Sequence, residues 1–335
     1  MRRSPSVLAG NRRWRGASVL ALVMASSGVG SIEEASAAPV RGPVVVAENG
    51  AALDVNDHGV IVGSYQGSDG TAHAFRWARG RLTDLGLGVA NAVNDRGIVV
   101  GQLHDRATVW YPDGTPHDLG LGDGSSVSDI NRSGTMVGGF VPASGEARAF
   151  VLDPGADEPV ILPPAPVEGA GSGYPVAINA AGTIAGEFYI DGWSRPMVWL
   201  AGTHEPVVLE ETAITSSVRG ISDRGTIVGS SVDDRGYKAV VWRAPDYRQV
   251  EVGEPGTESL GRGINDRDQV VGVSYQNGPF RWDPRSGRTT ILTGLGDFAA
   301  GHYSEAWAIN DHGMTVGYSS PEMTGPSHAI IFGDG

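Results

Sequence analysis

Val55-Asn56-Asp57-His58-Gly59-Val60-Ile61-Val62-Gly63 is the stretch on which the fold is read. An apolar segment closes on Asn-Asp-X-Gly, and a second apolar run follows. Gly can take positive φ and the Asx side chains can bond the turn backbone, so the stretch predicts a tight hairpin. It returns as Val93 to Gly101, Ile130 to Gly138, Ile178 to Gly186, Ile221 to Gly229, Ile264 to Gly272 and Ile309 to Gly317, which makes seven copies. Copy six carries Asp268 where the others have Gly, and Asp is among the few residues that tolerate a left-handed backbone.

Working outward, the turn positions Asn56, Asn94, Asn131, Asn179, Ser222, Asn265 and Asn310 are separated by steps of 38, 37, 48, 43, 43 and 45 residues. Steps around forty are the size of one four-stranded propeller blade. Each copy also has a second landmark ending in a large apolar residue: Trp77, Trp110, Leu152, Trp199, Trp242, Trp282 and Phe332. The reading is therefore strand a ending at the turn Asn, strand b ending at the Val-Gly pair, and strand c of the type His73-Ala74-Phe75-Arg76-Trp77. Strand d follows as Leu82 to Leu85, His117 to Leu119, Pro159 to Leu162, Pro206 to Leu209, Arg248 to Val252 and Thr289 to Leu292.

Only six strands d follow a strand c, because the chain stops just after the seventh. Pro43-Val44-Val45-Val46 has strand-d character and precedes the first strand a, so it is expected to pair near Ile330 and close the ring. Closure removes an exposed edge. The expected fold is all-β: a seven-bladed β-propeller over residues 43–332, with four antiparallel strands per blade, closed by the N-terminal strand. A β-sandwich and an open solenoid are the competing architectures, and a solenoid would need polar capping repeats that are not visible.

Composition agrees. The 335 residues include 50 Gly, suited to many short strands and turns, and no Cys, so neither disulfides nor thiolate-bound zinc can brace the fold. Residues 1–38 have the parts of an export signal: Arg2, Arg3, Arg12, Arg13 and Arg15, an apolar stretch from Ala17 to about Val29, and Ala35-Ser36-Ala37 before Ala38-Pro39. That apolar stretch falls short of the roughly 20 residues needed to span a bilayer. Cleavage near Ala37/Ala38 and a secreted product, or a periplasmic one behind an outer membrane, are expected. Asn11 and Arg15-Gly16 fit a twin-arginine signal poorly despite the Arg12-Arg13 pair, which favours ordinary secretion. A formal charge of -13 argues against nucleic acid and anionic lipid as partners.

With these motifs in view, the chain resembles the extracellular HAF-repeat proteins. Asn56-Asp57-X-Gly59, His73-Ala74-Phe75-Arg76-Trp77 and Thr83-Asp84-Leu85-Gly86 carry the resemblance in copy one, and later copies drift, with the His kept only as His328. The resemblance implies export and a propeller-like repeat architecture, and carries over no catalytic residue.

The d-to-a and b-to-c loops vary in length and should share one face of the disc, the usual place for binding residues on a rigid scaffold. Three segments enrich that face: Gly186 to Pro196 with Glu187, Tyr189, Asp191 and Trp193; Leu295 to Trp307 with Asp297, Phe298, His302, Tyr303, Glu305 and Trp307; and the Pro163 to Pro175 insertion with Tyr174. Aromatics beside carboxylates suit sugar rings or peptide segments. The candidate ligand-binding set is therefore Tyr174, Glu187, Tyr189, Trp193, Asp297, His302, Tyr303, Glu305 and Trp307.

Other residues read as structural. The basic residues opening strand c, namely His73, Arg106, Arg148, Arg195, Lys238 and His328, are expected to pair with a turn Asp such as Asp57 or Asp311. Asp54 and Asp129 are expected to face a central channel, solvated or paired with Arg219 or Arg262, with a bound cation as the lesser alternative. No Asp-X-Asp-X-Asp-Gly calcium loop, His-Glu-X-X-His, Gly-X-Ser-X-Gly or phosphate-cradling glycine loop occurs. No cofactor, metal or catalytic residue is expected, and a monomer is. The leading reading is a non-enzymatic binding protein for an extracellular carbohydrate or protein. The alternative is a hydrolase or lyase on an extracellular polysaccharide, with acid and base among Glu187, Asp297, His302 and Glu305. A purely structural role is third.

Overall fold

The computed structural model describes residues 42–210 and 213–334, so the expected signal segment 1–38 lies outside the described residues. The first strand is β1 (Val44–Ala47). β2 (Gly50–Val55), β3 (Ile61–Gln66), β4 (Ala72–Ala78), β5 (Arg81–Val93), β6 (Val99–Leu103), β7 (Arg106–Trp110) and β8 (Pro116–Asp123) then form one continuous antiparallel sheet. β9 (Ser126–Ile130), β10 (Met136–Phe140), β11 (Arg148–Leu152) and β12 (Val160–Ile161) make a four-stranded blade. So do β13 (Tyr174–Ile178), β14 (Ile184–Ile190), β15 (Trp193–Trp199) and β16 (Pro206–Val208). The next two blades are β17 (Thr215–Ile221), β18 (Ile227–Asp233), β19 (Gly236–Arg243), β20 (Arg248–Glu251), and β21 (Ser259–Ile264), β22 (Val270–Ser274), β23 (Gly278–Asp283), β24 (Arg288–Ile291). β25 (Ser304–Ile309), β26 (Thr315–Ser319) and β27 (His328–Ile331) complete the chain.

The chain is an all-β propeller, but the expected seven four-stranded blades are corrected to five, beside one seven-stranded sheet that carries repeat copies one and two. The reason is local. β5 runs unbroken from Arg81 to Val93 as the outer strand of one copy and the inner strand of the next, whereas the next copy breaks between β8 and β9 at Gly124-Ser125. Gly86, at φ 101, lets β5 bend in passing. Closure is made by β1, which pairs antiparallel with β27 through Val44–Ile331 and Val45–Ile330.

The inner strands β2, β9, β13, β17, β21 and β25 and the second half of β5 touch one another in turn around the axis. Each one slips register against its neighbour at the same repeat position, leaving Leu53, Asn91, Ser128, Val176, Arg219, Arg262 or Trp307 as an extra residue. Such a bulge bends the strand and re-aims the inserted side chain. It also explains the repeated Gly of strand b. A Cβ on Gly63, Gly101, Gly138, Gly186, Gly229, Gly272 or Gly317 would lie 1.9–2.2 Å from a carbonyl oxygen of the bulged strand. These glycines sit inside strand b and do not end it, which corrects the expected boundary.

The turn residues link copy to copy. Asn56 Nδ2 donates to the Asn94 carbonyl, Asn94 to Asn131, Asn131 to Asn179, Asn179 to Ser222, Asn265 to Asn310, and Asn310 back to Asn56, all at 2.8–3.2 Å. Meanwhile Asn56 Oδ1 accepts from the His58 and Val60 amides within its own turn. Each Asn is buried and bonded at both ends, as a buried amide must be. Ser222 is too short to follow this pattern. Its Oγ donates instead to Asp268 Oδ1 at 2.7 Å, and Asp268 stands at φ 60 where the other copies have Gly. The two departures from the repeat thus answer one another.

The landmark aromatics fill the spaces between sheets. Trp110, Trp199 and Trp242 are fully buried, and their indole N–H groups donate to the carbonyls of Leu85, Pro163 and Glu210 in the preceding copy. One cluster joins Val137 and Val151 of one blade to Ile184, Met197 and Trp199 of the next.

Candidate functional site

At the end of the inner strands opposite the turns, the re-aimed bulge side chains meet the variable loops. A cavity of about 370 Å³ opens there, lined by Ser194, Thr215, Ser216, Ser217, Arg219, Ser230, Val232, Tyr237, Leu260, Arg262 and Tyr275. Tyr237 and Tyr275 are exposed and stand edge to face, with ring centroids 5.9 Å apart.

Arg219 and Arg262 occupy the same repeat position in adjacent copies but differ in their bonding. Arg262 Nε forms a short ion pair with Glu305, and its guanidinium lies over the Trp307 ring, 5.2 Å from the centroid. Glu305 is only 2% exposed and also accepts from Tyr318 Oη at 2.7 Å and Tyr303 Oη at 3.3 Å. Burial, and then the Glu305 charge, push Tyr303 up to about 12 and raise Tyr318 as well. Arg219 has no such partner. Its Nη1 donates to the Val218 carbonyl at 2.8 Å, and no carboxylate among the described residues lies within ion-pair distance. Burial lowers its pKa from the usual guanidinium value. The charge of Glu187 also acts on Arg219, while its Oε2 accepts from Ser194 Oγ at 2.9 Å and from the Val218 amide at 3.3 Å.

The expected site residues divide. Tyr174, Glu187, Tyr189 and Trp193 are brought together on β13, β14 and the start of β15, with Tyr174 and Tyr189 edge to face at 5.5 Å. Trp193 is 48% exposed at the hairpin tip, where Asp191 and Gly192 take positive φ. Tyr303, Glu305 and Trp307 also reach the central cluster, but as supports of Arg262. Trp307 is a half-buried floor, not an exposed stacking surface. Asp297 and His302 do not line the cavity. Asp297 accepts from the Ala299 amide and caps a single 3-10 turn at Phe298–Ala300, and the His302 ring packs beneath Gly296. None of Glu187, Asp297, His302 and Glu305 lines this cavity as an acid and base acting there would.

Arg219, Arg262, Ser216, Tyr237 and Tyr275 were not among the expected ligand-binding residues. The signal was present three residues before each turn Asn, where reading down the copies gives Leu53, Asn91, Ser128, Val176, Arg219, Arg262 and Trp307. Two consecutive arginines at a position shared with small and apolar residues mark the side chains that the bulge redirects.

Asp54 and Asp129 pair with neither arginine; they stand one position after the bulge, and their carboxylates are taken up by backbone amides. Asp54 accepts from the amides of Val55 and Val93, and Asp129 from those of Ile130 and Ile178, so each carboxylate clips one copy to the next at 2.7–2.8 Å. Burial raises Asp54 to about 7 and Asp129 to about 6. They line an acidic funnel of about 200 Å³ with Asp57, Asp95, Asp223, Asp266 and Asp311. Among the described residues, no three His, Asp or Glu are placed to hold a metal ion. The strand-c basic residues also differ from expectation. His73 meets Asp84, Arg106 meets Asp118 and Asp123, and Lys238 meets Glu251, all across to strand d. Asp57 and Asp311 sit at the far end of the blade, out of reach, and bond in the turn ring instead.

No protein-family model matches the chain, and no curated protein matches it in sequence. Solved structures similar in fold include a protein from Agrobacterium tumefaciens assigned to TolB, 9% identical with a TM-score of 0.48, covering 76% of this chain and 87% of that chain. TolB from Acinetobacter baumannii is 11% identical with a TM-score of 0.45, covering 81% and 78% respectively. A gluconolactonase from Xanthomonas campestris is 11% identical with a TM-score of 0.42, covering 72% and 83%. No helix among the described residues is long and apolar enough to cross a membrane.

Proposed function

We propose that this protein is an exported, non-enzymatic binding module of the HAF-repeat type that holds a carbohydrate on its variable-loop face. The observation that carries the reading is the lining of the central cavity: serine and threonine hydroxyls and an arginine floor beneath two exposed tyrosines. Flat faces stack on sugar rings while hydroxyls and guanidinium groups bond the ring oxygens. Tyr189 and Trp193 extend the aromatic surface beyond the rim. Rigid inner strands hold the floor, and the loops above vary from copy to copy, the division of labour expected of a binding scaffold.

The test is a glycan array probed with the chain lacking residues 1–38, followed by calorimetric titration of each hit. Tyr237→Ala and Tyr275→Ala should each weaken binding about tenfold, in line with the loss of one aromatic contact. An array without hits, or hits indifferent to both substitutions, would sink the reading. N-terminal sequencing of exported protein, with a start at or near Ala38, tests the secretory part.

A further inference from the structure

We propose that the saccharide bound at this cavity is acidic, and that Arg219 is the group that receives its carboxylate. The inference rests on the binding reading above and adds the charge class of the ligand.

The argument begins with charge in the cavity. A half-buried guanidinium without a carboxylate partner is costly, and in a chain of formal charge -13 acidic side chains are plentiful. Arg262, at the equivalent position, has acquired one in Glu305, together with two tyrosine hydroxyls that fill the other carboxylate oxygen. Arg219 has not. Its one hydrogen bond is to the carbonyl of its own neighbour, and Glu187 is turned to Ser194 and the Val218 amide. A guanidinium carries five N–H donors in a planar fork, so most of this one remains available to a ligand.

A second observation is independent of charge. Ser216 is among the residues lining the same cavity, and its Oγ is buried and has no hydrogen-bond partner. An orphaned buried hydroxyl is uncommon and calls for a partner that binds there. The bulge at Val218/Gly220 supplies the geometry, since it turns Arg219 toward the axis and frees it from cross-strand pairing. A carboxylate accepts from a guanidinium fork and a hydroxyl together, and a sugar acid presents it beside the ring hydroxyls that Ser194, Thr215 and Ser217 can meet. An acidic peptide would also meet the arginine, but would leave these hydroxyls with less to bond.

The experiment uses the chain without residues 1–38 and calorimetric titration with oligogalacturonate, alginate oligomers and hyaluronan oligomers. Beside them run methyl-esterified oligogalacturonate, cellohexaose, and a hexaglutamate peptide. At least one uronate should bind about tenfold or more tightly than its ester or the neutral oligomer, the size of a charge-assisted contact. Arg219→Gln should lower uronate affinity about tenfold more than it lowers affinity for the ester or the neutral oligomer, with the melting temperature nearly unchanged, and Arg219→Lys should restore part of that preference. Equal affinity for acid and ester, or a preference that survives Arg219→Gln, overturns the inference while the carbohydrate reading stands. Binding of hexaglutamate with no uronate bound overturns the saccharide assignment. Failure of every uronate and neutral oligomer overturns both.

Discussion

The two ends of the inner strands are built from the same repeat and finish in opposite states. At the turn end, Asn56 and its equivalents bond in both directions, Asp54 and Asp129 each accept two amides, and two irregular turns are joined by the Ser222–Asp268 contact. At the loop end, Arg262 and Glu305 are paired, but Arg219 has no carboxylate partner and Ser216 Oγ has no hydrogen-bond partner. Saturated polar groups lock a scaffold, and unsaturated ones in a cavity await a ligand. The contrast separates residues that hold the ring together from those that act on something outside it, and substitutions can break or sharpen it.

The largest effect is expected at Arg262. Arg262→Ala strands the buried Glu305 carboxylate, and removing one partner of a buried pair costs about 3–5 kcal/mol, to be read from urea unfolding. If stability is unchanged, the loop end does not contain the saturated pair described. Next comes Asn94→Ala, which breaks a bond to the Asn131 carbonyl and orphans the Arg96 and Ile98 amides at once. About 2–3 kcal/mol should be lost by the same measurement, with no change in ligand affinity.

The pH response of the turn end follows. Asp54 titrates near 7 in the folded chain against 3.8 for the free side chain, so the folded state holds the extra proton. Its contribution is fully present below the unfolded value and is lost as pH rises through about 7. Relative to Asp54→Asn, the wild-type chain should lose on the order of 3 kcal/mol between pH 4 and pH 7. Urea midpoints of the two proteins across that window measure it, and parallel profiles would remove Asp54 as the cause.

The smallest effect concerns the two irregular turns. Ser222→Asn alone and Asp268→Gly alone should each destabilise, whereas the double substitution restores the regular Asn-to-carbonyl link. A double-mutant cycle should give a coupling of about 1 kcal/mol between them, and strict additivity would mean that the two departures are unrelated.

Much of this was legible in the primary structure. The Asn-Asp-X-Gly turns, the strand order, the landmark tryptophans and the closing role of Val44–Ala47 follow from spacing and local chemistry. The blade organisation did not, because the run Leu82 to Leu85 followed closely by Val89 to Val93 gives no sign that the chain passes between them without a loop. Among site residues, Tyr189 and Trp193 are exposed on the loop side as expected. Glu305 and Trp307 looked like surface groups because they follow a long loop, but a register slip at Trp307 draws them into the axis. Arg219 and Arg262 were read only as possible partners of Asp54 and Asp129, since nothing in the sequence shows the bulge that redirects them.

Local sequence thus determined which segments turn, which extend, and how often the pattern recurs, because turn geometry and alternation are properties of a few adjacent residues. Only the tertiary structure decided which end of each inner strand is saturated and which is open. That outcome depends on where a bulge aims one side chain and on what the neighbouring copy places opposite it, and residues about 43 positions apart meet there solely because the ring closes.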